Sequence, residues 1–152
     1  MAKTPTTAEP IIADSSGLVS LASSTDHNHR AAVMAATRLA NEHRPIIVPA
    51  EVFSETMNLL GKLSGHAVAW AAAQELLRAG STFVYQHTDE TVVSAALVLF
   101  QAQPPGVSYT DCVVMATADA LKTTDIFGFD QQFADAGYTR LVPSAEEWED
   151  TA

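Results

Sequence analysis

Short apolar runs alternate with longer segments of helical periodicity along most of the chain. The apolar runs are mostly rich in β-branched and aromatic residues, which predicts strands at 11–14, 45–49, 82–86, 126–129 and 140–143. Apolar positions at helical spacing, bounded by capping residues, prolines and glycines, predict helices at 27–43, 50–63, 65–80, 89–102 and 108–122, with a further one at 16–22. Strands that alternate with helices indicate an α/β domain with a mostly parallel sheet.

Two aspartates stand where predicted strands end. Asp14 closes the run Ile-Ile-Ala-Asp, and Asp130 follows Ile-Phe-Gly-Phe. In parallel sheets, ligands bind outside the carboxyl ends of the strands, so both carboxylates are candidates for a site. Each also has a purely structural explanation, because aspartate commonly caps helices: Asp14 before the segment at 16–22, and Asp130 before a short helix at 130–134. Asp125, before its strand, is expected to be a surface turn residue.

Two further carboxylates lie along the apolar faces of predicted helices. Val52 and Leu59 stand three and four residues from Glu55, which places the glutamate beside a buried stripe. A carboxylate at the edge of a core is costly unless it is paired or binds metal. Asp111 precedes apolar positions at helical spacing, but Ser108 three residues earlier also makes it a candidate for a capping box. Both interpretations stay open for each residue.

The four carboxylates together indicate a cation site. Carboxylates held close repel one another and raise one another's pKa, so such a group is tolerated when a divalent cation lies among them. An all-oxygen ligand set suits Mg²⁺ or Mn²⁺ better than zinc. We therefore expect the four carboxylates to converge at one edge of the sheet, namely Asp14, Glu55, Asp111 and Asp130.

The composition limits the partners and the compartment. The net charge is -10, from 18 acidic residues against 8 lysines and arginines, which argues against nucleic-acid binding through a basic face. A single cysteine, Cys112, excludes an internal disulfide framework and suits a reducing cytosol. No apolar run is long enough to span a bilayer and the N-terminus lacks a signal-peptide pattern, so we expect a cytoplasmic protein without membrane contact.

Four segments, in order and with family-like gaps, resemble the PIN-domain family and, within it, the VapC-like toxins of bacterial toxin–antitoxin pairs. They are IIADSSGLVSLA, PIIVPAEVFSETMNLLGKL, SYTDCVVMATA and IFGFDQQFADAGYTRL. The most specific stretches are VPAEVFSETMNLL and YTDCVVMATA. The resemblance implies a three-layer α/β/α sandwich with a mostly parallel central sheet. The nuclease domain would span 10–143, between a flexible tail at 1–9 and an acidic tail at 144–152.

The resemblance also implies a role for individual motif residues. Four acids would bind the metal and act in catalysis: Asp14, Glu55, Asp111 and Asp130. Three residues beside the acids are candidate supports that hydrogen-bond the ligand or the metal: Ser15, Ser16 and Thr110. Two positions depart from the family pattern, since Cys112 stands where a small residue is usual and Gly128 stands where threonine is common.

The activity implied by the resemblance is a Mg²⁺- or Mn²⁺-dependent endoribonuclease, in which metal-activated water cleaves RNA and leaves a 5′-phosphate and a 3′-hydroxyl. The implied partners are an RNA substrate, a cognate antitoxin that blocks the acidic site, and a second copy of the chain in a homodimer. Four basic residues are candidate RNA contacts, although solvated helix charge explains each of them better when it is taken singly: Arg30, Arg38, Arg44 and Lys62.

Three other interpretations are weaker on the residues. Histidines at 27, 29, 43, 66 and 87 suggest zinc, but the HNH triplet runs into an alanine-rich helix rather than a ββα-metal fold. A haloacid-dehalogenase-like phosphatase needs a second acid where Ser16 stands, and a receiver domain needs an acid pair near its first strand. A PIN-like domain that binds RNA or protein without cutting stays open, although four intact acids argue against it.

Overall fold

Strands and helices alternate from residue 11 to residue 140, as the hydrophobic pattern predicts. The computed structural model describes residues 8–141. The strands are β1 (Ile11–Ala13), β2 (Ile46–Pro49), β3 (Phe83–Gln86), β4 (Asp125–Phe127) and β5 (Thr139–Arg140). The helices are α1 (Ser15–Ala22), α2 (His29–Asn41), α3 (Ala50–Leu63), α4 (His66–Leu77), α5 (Glu90–Ala102), α6 (Tyr109–Ala120) and α7 (Gln131–Asp135).

The five strands form one parallel sheet in the order β3-β2-β1-β4-β5. Connections between parallel strands are right-handed, so the direction in which the chain crosses the sheet decides which face a helix covers. The chain moves one way from β1 to β3 and the other way from β3 to β5. Helices α1 to α4 therefore cover one face and α5 to α7 the other, which confirms the three-layer α/β/α sandwich.

The core lies on both faces of the central strands. Fully buried side chains at 0% exposure include Ile11, Ile12, Ile46, Val48 and Phe127. Strands covered on both faces need apolar residues at successive positions, which explains their continuous apolar runs. Each such side chain contributes about 1.5–3 kcal/mol on burial, so the ends of β1, β2 and β4 are held rigidly at the carboxyl edge of the sheet.

The strand before Asp130 is shorter than predicted. Strand β4 ends at Phe127 instead of continuing to residue 129. The reason is a contact between distant parts of the chain, because the N–H of Phe129 donates to the hydroxyl of Ser16 (3.0 Å) instead of joining the sheet. Asp130 therefore lies in a turn beyond the strand, where it precedes α7.

Other boundaries differ by a few residues. Helix α2 begins at His29 because Asp26 accepts the N–H of Asn28 in a turn (2.8 Å), and Asp26 does not cap the helix. Strand β5 begins one residue before the predicted 140–143, whose last two residues lie outside the described range. The predicted acidic tail at 144–152 and most of the tail at 1–9 also lie outside it, so the domain bounds stay a prediction.

Asp125 is not the surface turn residue that the sequence suggested. It opens β4, half-buried, and its Oδ2 pairs with the guanidinium of Arg44 at 2.7 Å. Arg44 also donates to the backbone oxygen of Glu9 (2.9 Å). This candidate RNA contact is thus held at the amino edge of the sheet, away from the strand ends that carry Asp14 and Asp130.

Within residues 8–141, no helix combines the length and the apolar character needed to cross a membrane.

Candidate metal centre at the carboxyl edge of the sheet

Three of the predicted acids meet where β1 and β4 end. Asp14 directly follows β1, Asp130 follows the turn after β4, and Asp111 lies in the first turn of α6. One carboxylate oxygen of each lies within 4.8 Å of those of the other two. Strands β1 and β4 are neighbours in the sheet, but the chain leaves β1 towards β2 on one side and leaves β4 towards β5 on the other. Such a switch point is where an open α/β sheet forms its ligand crevice. We call Asp14, Asp111 and Asp130 the acidic triad.

Glu55 borders the acidic triad from α3, on the other side of the sheet from α6. Burial raises the pKa of Glu55, and the negative charges of Asp111 and Asp130 raise it further. A hydrogen bond from Ser15 acts in the opposite direction. The four predicted acids are therefore electrostatic neighbours, although Glu55 does not lie within the tight group that the three aspartates form.

Asp14 is almost completely buried, with 1% of its surface exposed. Its Oδ2 accepts hydrogen bonds from the hydroxyl (2.8 Å) and the N–H (3.3 Å) of Ser16, so its predicted role as a helix cap is confirmed. Its Oδ1 has no hydrogen-bond partner among the described residues. Burial, together with the charges of Asp130 and Asp111, raises the pKa of Asp14 from 3.8 to about 7 against the opposing Ser16 bonds.

Helix capping alone does not explain the partnerless oxygen of Asp14. A cap needs one carboxylate oxygen, and Oδ2 fulfils that role. A buried polar atom without a partner is costly, and native structures rarely keep one without a reason. A proton or a cation at Oδ1 would remove this cost, and the nearby carboxylates make a cation the better fit.

Asp111 is both a cap and a member of the acidic triad. The predicted capping box is confirmed: the N–H of Asp111 donates to the Ser108 hydroxyl (3.1 Å), and the Ser108 N–H donates to Asp111 Oδ2 (2.9 Å). The same Oδ2 accepts a second donor, the side-chain amide of Gln132, at 2.6 Å. Burial raises the pKa of Asp111, the Ser108 bonds lower it and the charge of Asp130 raises it.

Asp130 occupies the cap position of α7 without acting as a cap. Its backbone is extended, as at a helix start, but its side chain makes no capping hydrogen bond. The carboxylate is half-buried and belongs to the acidic triad. Helix capping, the structural alternative to a functional site, therefore explains Asp130 less well than it explains Asp14 or Asp111.

Ser16 and Gly128 fit together around Asp14. The hydroxyl of Ser16 joins Asp14 to the turn after β4, because it donates to the carboxylate and accepts the N–H of Phe129. A Cβ atom at Gly128 would lie 3.0 Å from the Cβ of Asp14 and 3.1 Å from the Ser16 hydroxyl. Glycine in place of threonine at position 128 therefore leaves room for the side chains of Asp14 and Ser16, and Ser16 supplies a hydroxyl there.

The other two predicted supports differ in how much the structure says about them. Ser15 is buried and hydrogen-bonds Glu55, so it supports an acid from the start of α1. Thr110 is half-buried in the first turn of α6, immediately before Asp111. Its role in binding a ligand or a metal stays a prediction.

Two residues near the site carried no recognisable signal in the sequence. Gln132 reaches Asp111 from α7, and Arg140 on β5 donates to the backbone oxygen of Phe129 (2.8 Å), next to Asp130. Helix α7 has only five residues, too few to show which side of it faces α6. These contacts depend on how α7 and β5 pack, which local patterns do not reveal.

The comparisons with known proteins agree with this geometry. No curated protein matches the sequence. Among solved structures, VapC20 of Mycobacterium tuberculosis, described as a Sarcin-Ricin loop cleaving toxin, shares the fold with a TM-score of 0.73 and 24% sequence identity, over 85% of this chain and 96% of that chain. The family model named PIN domain matches residues 11–137, which sets aside the receiver and phosphatase alternatives. The chain belongs to the PIN domain family.

Proposed function

We propose that the protein is a divalent-metal-dependent endoribonuclease and acts as the toxin of a type II toxin–antitoxin pair. The observation that carries the proposal is the acidic triad, in which one carboxylate oxygen of each aspartate lies within 4.8 Å of the other two. In addition, the buried Oδ1 of Asp14 has no hydrogen-bond partner among the described residues. Membership of the PIN domain family and the fold shared with a toxin that cleaves the Sarcin-Ricin loop support RNA as the substrate.

The acidic triad suits Mg²⁺ or Mn²⁺, because every ligand atom it offers is a carboxylate oxygen. Asp14, Asp111 and Asp130 are the proposed ligands, and Glu55 completes the acidic group from α3. When bound, such an ion lowers the pKa of water and stabilises charge on the scissile phosphate. It would also supply positive charge at the site itself, in a protein whose net charge of -10 otherwise repels an RNA backbone.

Ser16 and Glu55 have different roles in the proposed reaction. Ser16 holds Asp14 in place through Oδ2, which leaves Oδ1 available to a ligand. Glu55 has a raised pKa and borders the acidic triad, which suits it to accept a proton from the attacking water or to return one to the leaving 3′ oxygen. No nucleophilic side chain is required for this chemistry.

Partners and compartment follow from the same proposal. A toxin of this kind works on cytoplasmic RNA and is held inactive by a cognate antitoxin, and we keep a homodimer as its expected assembly. Expression of the chain without an antitoxin should slow bacterial growth, whereas the Asp130→Ala variant should be harmless. Equal growth inhibition by both proteins would contradict a toxic activity that depends on the acidic triad.

The biochemical experiment compares cleavage of total RNA by the purified protein in Mg²⁺, in Mn²⁺ and in EDTA. Asp130→Ala removes a proposed ligand, and Asp135→Ala removes an exposed carboxylate of α7 that accepts a hydrogen bond from Gln131 at 3.1 Å. We expect metal-dependent cleavage by the wild type and Asp135→Ala, and none by Asp130→Ala. Cleavage by Asp130→Ala at the wild-type rate, or in EDTA, would overturn the proposal. Tight RNA binding without cleavage in either metal would instead favour the non-catalytic interpretation.

A further inference from the structure

Gln132 makes a direct contact with the acidic triad. Its side-chain amide donates to Oδ2 of Asp111 at 2.6 Å, and the side chain is half-buried between α7 and α6. The same oxygen accepts the backbone N–H of Ser108 at 2.9 Å. Two N–H donors from different elements therefore fix the direction in which this carboxylate points, which one donor alone would leave free to rotate.

This hydrogen bond also links the segment that carries Asp130 to Asp111 on α6. Asp130 lies at the start of α7, where its side chain makes no capping bond, so its position depends on how α7 is placed. Helix α7 has five residues and is anchored in the core by Phe133, which is fully buried. The Gln132 amide is the contact that ties α7 to a carboxylate of the acidic triad.

We propose that Gln132 is a positioning residue, which orients the Asp111 carboxylate and sets its distance from Asp130 for cation binding. The inference rests on the proposed function, because it concerns the same site. Groups that hold metal-ligating side chains in place commonly change metal affinity or activity by 10- to 100-fold when removed. The loss should therefore show in metal affinity, and not only in stability.

The test measures the affinity of the purified, EDTA-stripped protein for Mn²⁺ by isothermal titration calorimetry, with urea unfolding of each metal-free variant alongside. Gln132→Met keeps the length of the side chain but has no donor, and Gln132→Ser cannot reach Asp111. Gln132→His keeps a donating N–H. The matched control is Gln131→Met, because Gln131 is the exposed neighbour whose amide donates to Asp135 (3.1 Å).

We expect Mn²⁺ to bind about 10- to 100-fold more weakly to Gln132→Met and Gln132→Ser, to bind Gln131→Met like the wild type, and to bind Gln132→His more tightly than Gln132→Met. Equal affinity of the wild type and any folded variant without the donor would overturn the inference and leave the proposed nuclease intact. An equal loss in the histidine and methionine variants would assign Gln132 a packing role and also overturn it. Absence of Mn²⁺ binding by the wild type would instead contradict the proposed function itself.

Discussion

Replacing Asp14 with asparagine should remove the proposed activity and stabilise the metal-free protein. The wild-type carboxylate is buried, and within residues 8–141 its Oδ1 has no hydrogen-bond partner. One of its oxygens lies within 4.8 Å of an oxygen of each of two other carboxylates. Asparagine can keep the bonds from Ser16 through its oxygen, while its amide can donate towards Asp111 and Asp130. Functional sites often hold such unfavourable groups at the expense of stability.

The size of the expected gain in stability follows from the pKa of Asp14, which is 3.8 ordinarily and about 7 in the folded protein. Between these values the folded state binds the proton and the unfolded state does not, so the stability of the metal-free protein falls as pH rises through this window. The interval of about 3 pH units corresponds to about 4 kcal/mol at 1.36 kcal/mol per unit, which is an upper limit. Below the unfolded pKa, both states are protonated and the penalty disappears.

The assay is urea unfolding followed by circular dichroism, in EDTA, across the pH range from about 4 to above 7. Above pH 7, Asp14→Asn should be more stable than the wild type by up to about 4 kcal/mol, and this advantage should shrink as the pH falls. Excess Mg²⁺ should stabilise the wild type and not the variant, because only the folded wild type binds it. Asp135→Asn, at an exposed carboxylate, is the control and should show neither effect. An Asp14→Asn variant that is less stable than the wild type above pH 7 in EDTA would refute the reasoning.

Three further substitutions test other parts of the site. Asp111→Asn should abolish metal-dependent RNA cleavage while circular dichroism shows an intact fold, and cleavage at the wild-type rate would remove Asp111 from the site. Ser16→Ala loses the bonds to Asp14 and Phe129 and should lower the free energy of unfolding by about 1–3 kcal/mol; an unchanged urea midpoint would show that these bonds are dispensable. Gly128→Ala should cost about 1–3 kcal/mol and reduce cleavage, because its Cβ would lie 3.0 Å from that of Asp14. Gly61→Ala, inside a helix and against the ring of His66, is its control and should be neutral or stabilising, so equal losses at both glycines would contradict the steric argument.

The architecture could be predicted from the sequence because the patterns that indicate it are local or periodic. Continuous apolar runs such as Ile-Ile-Ala reflect strands buried on both faces, and the alternation with helices implies parallel pairing. The capping box of Ser108 and Asp111 follows from their spacing alone and is present in the structure. The convergence of Asp14 and Asp130 follows from a topological rule about where parallel strands end.

Other features depend on packing that no local pattern contains. The early end of β4 results from the capture of the Phe129 N–H by Ser16, 113 residues earlier in the chain. The ion pair of Arg44 with Asp125 and the contact of Gln132 with Asp111 likewise join residues from different elements. Capping at Asp14 occupies only Oδ2, so the cap does not prevent Oδ1 from binding a ligand.

The most direct test of a cation site is a crystal structure of the protein grown with Mn²⁺, with anomalous diffraction data that locate the metal. We expect an anomalous peak within bonding distance of Asp14 Oδ1 and of one carboxylate oxygen each from Asp111 and Asp130. The same peak should be absent from crystals of Asp130→Ala. A Mn²⁺ peak elsewhere, with none among these three carboxylates, would contradict the proposal that the acidic triad is built to bind metal.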